Sequence, residues 1–138
     1  MAHILLVEDE QVVSDALASA MMSKGHSVVT ASNGVEGLKR FAEQAFDLVV
    51  TDIIMPDKEG IEMILDMRKH KPETKIIAIS GGGRTGNVEF LNMAASVGAM
   101  ATLRKPIHLA KFLSVLTESL SQSPPPYQTD RDRTTVLI

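Results

Sequence analysis

The chain has 138 residues, 44% of them hydrophobic and 22% charged, a composition that fits one ordinary globular domain with a core of its own. It has no cysteine, which excludes disulfide frameworks, thiolate metal sites and cysteine nucleophiles. A net charge of -3, aromatic residues at 4% and no tryptophan argue against a basic, stacking nucleic-acid surface. Apolar runs are only a few residues long, and acids follow the first of them where a signal peptide would be cleaved, so no membrane partner and a cytoplasmic location are expected.

Ile4-Leu5-Leu6-Val7 is apolar at every position, as in a strand buried on both faces. Val13, Ala16, Leu17 and Ala20 then fall at helical spacing, and Gly25 supplies a stop, because glycine tolerates a left-handed backbone. The unit recurs with Ser27 to Ala31 as a strand, Asn33 as a helix cap, and Val35, Leu38, Phe41 and Ala42 as a buried stripe. Leu48-Val49-Val50 is a third strand; after the turn at Met55-Pro56, Ile61, Ile64 and Leu65 predict a third helix ending near His70 to Pro72. Ile76 to Ile79 follow as a strand, Gly81 to Gly83 as a loop, and Asn87 to Val97 as a fourth helix. Ala101 to Arg104 and a helix lined by Leu109, Phe112, Leu113 and Leu116 complete five β-α units. Strands alternating with helices force parallel pairing and right-handed crossovers, which predicts a doubly wound α/β domain. Periodicity ends near Leu120, so 1–120 reads as the domain and 121–138, with Pro124-Pro125-Pro126-Tyr127, as a mobile Pro-rich tail. Thr134 to Ile138, β-prone and apolar, are the segment of that tail able to dock.

In open α/β sheets a ligand site lies at the carboxyl ends of the strands. Here those ends carry Glu8-Asp9-Glu10, Thr51-Asp52, Ser80 and Arg104-Lys105-Pro106. Each element alone is commonplace: acids cap helices, serines satisfy turns, and Lys-Pro is frequent. Together they are informative, because grouped carboxylates need a cation, and oxygen ligands without histidine or thiol suit Mg²⁺, with Mn²⁺ as the alternative. A lysine and a hydroxyl beside such a metal complete a site for a phosphoryl group, with a carboxylate as the acceptor. The four histidines have no metal-ligand spacing, and the eight methionines read mostly as core fillers.

Leu5-Leu6-Val7-Glu8-Asp9-Glu10, Val49-Val50-Thr51-Asp52 leading to Met55-Pro56-Asp57, Ile76 to Gly82, and Leu103-Arg104-Lys105-Pro106, in this order and spacing, resemble the receiver domain of bacterial two-component response regulators. The resemblance implies a flavodoxin-like (βα)5 fold with strand order 2-1-3-4-5. It implies Asp52 as phosphoacceptor, Lys105 and Ser80 as its catalytic partners, and Glu8, Asp9, Asp52 and the Ile54 backbone carbonyl as metal ligands. It also implies a cis peptide between Lys105 and Pro106. The expected partners are a histidine kinase or phosphotransfer protein on the input side and an unidentified protein on the output side, with no nucleic acid. The function implied is a single-domain phosphoacceptor switch, partly catalysing its own phosphotransfer and dephosphorylation, rather than an enzyme. One rival is a phosphorylation-independent binding module of the same fold. Another is a phosphatase of the haloacid dehalogenase type, but that class places an aspartate two residues after its nucleophile, where this chain has Ile54. A departure from the family pattern is Thr102, three residues before the lysine, where the family usually carries an aromatic switch residue. Without that ring, the conformational response is expected in the loop Gly81 to Gly86 and the helix after it, together with Ser80.

Overall fold

The computed structural model of the protein describes residues 1–53, 60–80 and 98–123. Strands β1 (His3–Val7), β2 (Ser27–Ala31), β3 (Leu48–Asp52), β4 (Ile76–Ser80) and β5 (Ala101–Arg104) form one parallel sheet in the order β2-β1-β3-β4-β5. This is the flavodoxin-like order expected. Among the described residues the helices are α1 (Gln11–Ser23), α2 (Gly34–Glu43), α3 (Gly60–His70) and α4 (Leu109–Ser121), the last being the predicted helix over Leu109 to Leu116. The helix expected from Asn87 to Val97, the loop before it, Ile54 and the segment 124–138 lie outside the described residues. No helix among those described is long and apolar enough to cross a membrane.

The continuous apolar character of the strands has a direct cause: each inner strand supplies two cores. On β1, Leu5 and Val7 face α2 and α3, while Ile4 and Leu6 face α1 and α4. The same alternation sends Val49 to the first layer and Leu48 and Val50 to the second. Ends of elements follow local chemistry. Gly25 takes φ +89° after α1 and donates its N–H to the Met22 carbonyl at 3.0 Å, a left-handed stop open to glycine without a Cβ penalty. Asn33 caps α2 by accepting the Glu36 N–H at 2.8 Å. The Lys75 ammonium donates to the Leu120 carbonyl at 2.8 Å, satisfying an orphan acceptor at the end of α4.

Two helix faces differ from expectation. The buried face of α1 is Ser14, Leu17, Ala18 and Met21, with Ala16 exposed, Val13 half-buried and Val12 82% exposed. On α2 the buried residues are Gly34, Gly37 and Phe41, whereas Val35 and Ala42 face solvent. The reason is close approach: a Cβ on Gly37 would lie 2.9 Å from both the Met63 sulfur and a Val7 methyl, so the helix comes close to the sheet at Gly37. Leu109 is likewise exposed at the start of α4, while Phe112 and Leu116 are fully buried.

Candidate functional site

Four strand ends bring the site together. Glu8 directly follows β1, held by its N–H donating to the Ala31 carbonyl at 3.0 Å, and its side chain turns inward to 1% exposure. Its Oε2 accepts the Glu10 N–H at 3.0 Å, which fixes the carboxylate against the turn into α1. Asp52 is the last residue of β3 and is buried, with Ile79 of β4 as its register partner. Gly60 opens α3 against this strand end; a Cβ there would meet the Asp52 carbonyl oxygen at 2.5 Å, so only glycine fits. Ser80 ends β4, is fully buried, and its hydroxyl has no hydrogen-bond partner among the described residues. Lys105 follows β5, donates its N–H to the Ser80 carbonyl at 2.9 Å, and is joined to Pro106 by a cis peptide.

The Lys105 ammonium is the electrostatic centre. It stands 2.8 Å from Glu8 Oε1, 2.8 Å from Glu10 Oε1 and 3.0 Å from Asp52 Oδ2. Burial alone would lower its pKa, but hydrogen bonds to Glu10, Glu8 and Asp52 outweigh burial and hold the ammonium above its ordinary value. Burial pushes the Glu8 carboxyl up to about 7, even against the opposing pull of Lys105 and the Glu10 N–H, and the Asp52 charge adds to the rise.

Oxygens of Glu8, Glu10 and Asp52 all lie within 4.8 Å of one another. An all-carboxylate donor set of this kind fits a hard divalent cation. Asp9 is exposed and is not one of these three converging carboxylates; Glu10 is. Glu10 is the site residue that sequence reasoning passed over, since nothing in the run Glu8-Asp9-Glu10 tells which acids turn inward when a helix begins immediately after. Thr102 lies half-buried on the edge strand β5, opposite Ala78.

Residues 4–117 match the family model described as the response regulator receiver domain. The chain is 31% identical over 125 residues to the DNA-binding transcriptional regulator NtrC of Azospirillum brasilense, covering 91% of this chain but 25% of that protein. It is 31% identical over 121 residues to the response regulator receiver protein CpdR of Brucella abortus, covering 87% of this chain and 98% of CpdR. It thus spans about a quarter of the length of one of these curated relatives and nearly all of the other. The crystal structure of the receiver domain of NtrX from Brucella abortus superposes with a TM-score of 0.80 at 29% identity, over 87% of this chain and 99% of that one. With the fold, the strand-end cluster and these matches in agreement, the chain belongs to the response regulator receiver domain family.

Proposed function

We propose that the chain accepts a phosphoryl group on Asp52 from a histidine kinase or phosphotransfer protein, in a Mg²⁺-dependent reaction, and that the modified site alters a protein-binding surface. The observation that carries this reading is the juxtaposition of a buried Asp52, a Lys105 ammonium 3.0 Å from it and, at the neighbouring strand end, a buried Ser80 hydroxyl with no hydrogen-bond partner among the described residues. Glu8 and Asp52 would hold the cation, with Asp9 and the Ile54 backbone carbonyl as the further ligands that the family resemblance implies. When bound, the metal neutralises the converging carboxylates and the charge spread over the transferring phosphoryl oxygens. An Asp52 oxygen forms the new P–O bond as the donor's P–N bond breaks, and the leaving imidazole retains or takes up a proton. Lys105 and Ser80 then each donate a hydrogen bond to a phosphoryl oxygen, preorganised at the place where charge collects.

A groove of about 590 Å³ adjoins the site, lined by Val12, Val13, Ile107 and Leu109 and sharing Glu10 and Lys105 with the acidic cluster. Val12, 82% exposed, and Leu109, 43% exposed, give the groove an apolar rim that a partner can cover. A phosphodonor protein seated there presents its phosphoryl group to Asp52. Val12→Asp should therefore slow transfer from a phosphorylated kinase by about tenfold, while labelling by a small phosphodonor falls less than about twofold. Comparing the two donors on one variant checks this.

The raised Glu8 carboxyl predicts a pH dependence of metal binding. A cation needs the carboxylate ionised, and below about 7 Glu8 holds a proton, so Mg²⁺ affinity should fall as pH drops from 8 to 6. Binding near pH 6.5 should release a proton, seen by calorimetric titration in two buffers of different ionisation enthalpy. In Glu8→Gln the release should vanish; an undiminished release would assign the proton to another group.

Phosphotransfer profiling with Mg²⁺ against the phosphorylated histidine kinases of the same cell tests the reading as a whole. Rapid transfer from at least one kinase to the protein, and none to Asp52→Asn, is expected. Failure with every kinase and with small phosphodonors alike would contradict it.

A further inference from the structure

Three carboxylates surround the Lys105 ammonium, and they are not equivalent. Nζ donates hydrogen bonds to Glu10 Oε1 at 2.8 Å and Asp52 Oδ2 at 3.0 Å and is ion-paired with Glu8 Oε1 at 2.8 Å. The side chains of Glu8 and Asp52 are 1% and 4% exposed, but that of Glu10 is 60% exposed. If Lys105 moved away from Glu8 or Asp52, a buried carboxylate would lose its counter-charge, which is costly. Moving away from Glu10 only exchanges an ammonium for water at an exposed group, a change worth little. Glu10 is therefore the partner that can be released. Glu10 is also the residue immediately before α1 and lies on the exposed side of the cluster.

We propose that Glu10 is a positioning residue for Lys105: it holds the ammonium at the mouth of the acidic cluster while Asp52 is unmodified, and gives it up when a phosphoryl group arrives. The proposal rests on the reading of Asp52 as phosphoacceptor. The N–H committed to Glu10 is not shared with a phosphoryl oxygen, so retention of that contact opposes the move of the ammonium onto the phosphoryl group. Glu10 also places a negative charge beside an incoming anion. Both effects have one sign: Glu10 weakens retention of the phosphoryl group and sets its stability without touching it.

The test uses beryllofluoride as the phosphoryl mimic at saturating Mg²⁺, with the full chain and Glu10→Gln. The mimic should bind the variant about two- to fivefold more tightly, the span expected for loss of an exposed ion pair. A second readout is the side-chain ammonium resonance of Lys105 in protein labelled with 15N-lysine. Without metal or mimic, it should differ between wild type and Glu10→Gln, because only wild type has the contact. With the mimic bound the two resonances should converge, because both proteins have then lost it. Equal or weaker binding by the variant, with wild type binding normally, overturns the role of Glu10 and leaves Asp52 untouched. If wild type itself fails to bind the mimic, the phosphoacceptor reading falls and takes this proposal with it.

Discussion

Lys105→Met is expected to lower acyl phosphate formation by about 10²–10³-fold, the usual loss when one preorganised donor to a developing anion is removed. It should also destabilise the metal-free protein, because the ammonium is the counter-charge shared by Glu8 and Asp52, whose side chains are 1% and 4% exposed. Breaking a buried ion pair from one side costs on the order of 3 kcal/mol. The loss should be largest near pH 8. Toward pH 5 it should shrink, since the Glu8 carboxyl, already raised to about 7 with Lys105 in place, takes up a proton and relieves its repulsion with Asp52. Saturating Mg²⁺ should restore part of the stability at pH 8 by supplying positive charge to the same carboxylates. Urea unfolding at the two pH values, with and without Mg²⁺, measures all three effects. A small loss independent of pH would mean that the cluster is relaxed by water rather than neutralised by Lys105.

Arg68→Met is expected to cost about 3 kcal/mol of stability, although Arg68 is remote from the strand-end cluster in sequence and in role. Its side chain is buried within α3 and reaches two backbone acceptors, the Pro72 carbonyl at 2.8 Å and the Gly98 carbonyl at 2.7 Å. The guanidinium thereby ties the end of α3 to the turn that feeds β5, the strand that delivers Lys105. A hydrogen bond to a charged group contributes about 1.5–3 kcal/mol, and here two are lost together, the one to Gly98 buried. Lysine should not rescue the variant, since one ammonium does not reproduce the planar fork that reaches both oxygens. Gly98 is part of the same arrangement: at φ +91°, a Cβ there would lie 3.0 Å from the guanidinium. Denaturant midpoints of Arg68→Met and Arg68→Lys check the prediction, and a shift of Arg68→Lys to near wild type would contradict the fork.

The inner strands β1, β3 and β4 were legible in the sequence because a parallel sheet covered on both faces demands apolar residues at nearly every position, and few other structures do so over such short runs. Asp52 was legible for the same reason: it is the first charge after one of those runs. Helix faces were harder to read. On α2 the buried face includes Gly34 and Gly37, which carry no hydrophobic signal, and the contact that Gly37 permits is visible only once Met63 and Val7 are in place. On α1 the fully buried face runs through Ser14, a polar residue with no hydrophobic signal, while Val13 only packs against the edge of the same core. Arg68 gave no signal of its role, since one of its two acceptors, the Gly98 carbonyl, lies 30 residues away. Glu10 was obscured likewise, since its partner Lys105 is 95 residues away.

The most direct measurement is the position of the label. The protein should be incubated with a small phosphodonor and Mg²⁺, the acyl phosphate trapped by reduction, and the modified residue located by peptide mass spectrometry. Asp52, buried at the end of β3 beside Lys105, should be the sole acidic residue converted, and Asp52→Asn should yield no modified peptide. Trapped label on Glu8, Asp9 or Glu10, or label that persists undiminished in Asp52→Asn, would contradict the assignment of Asp52 as the phosphoacceptor.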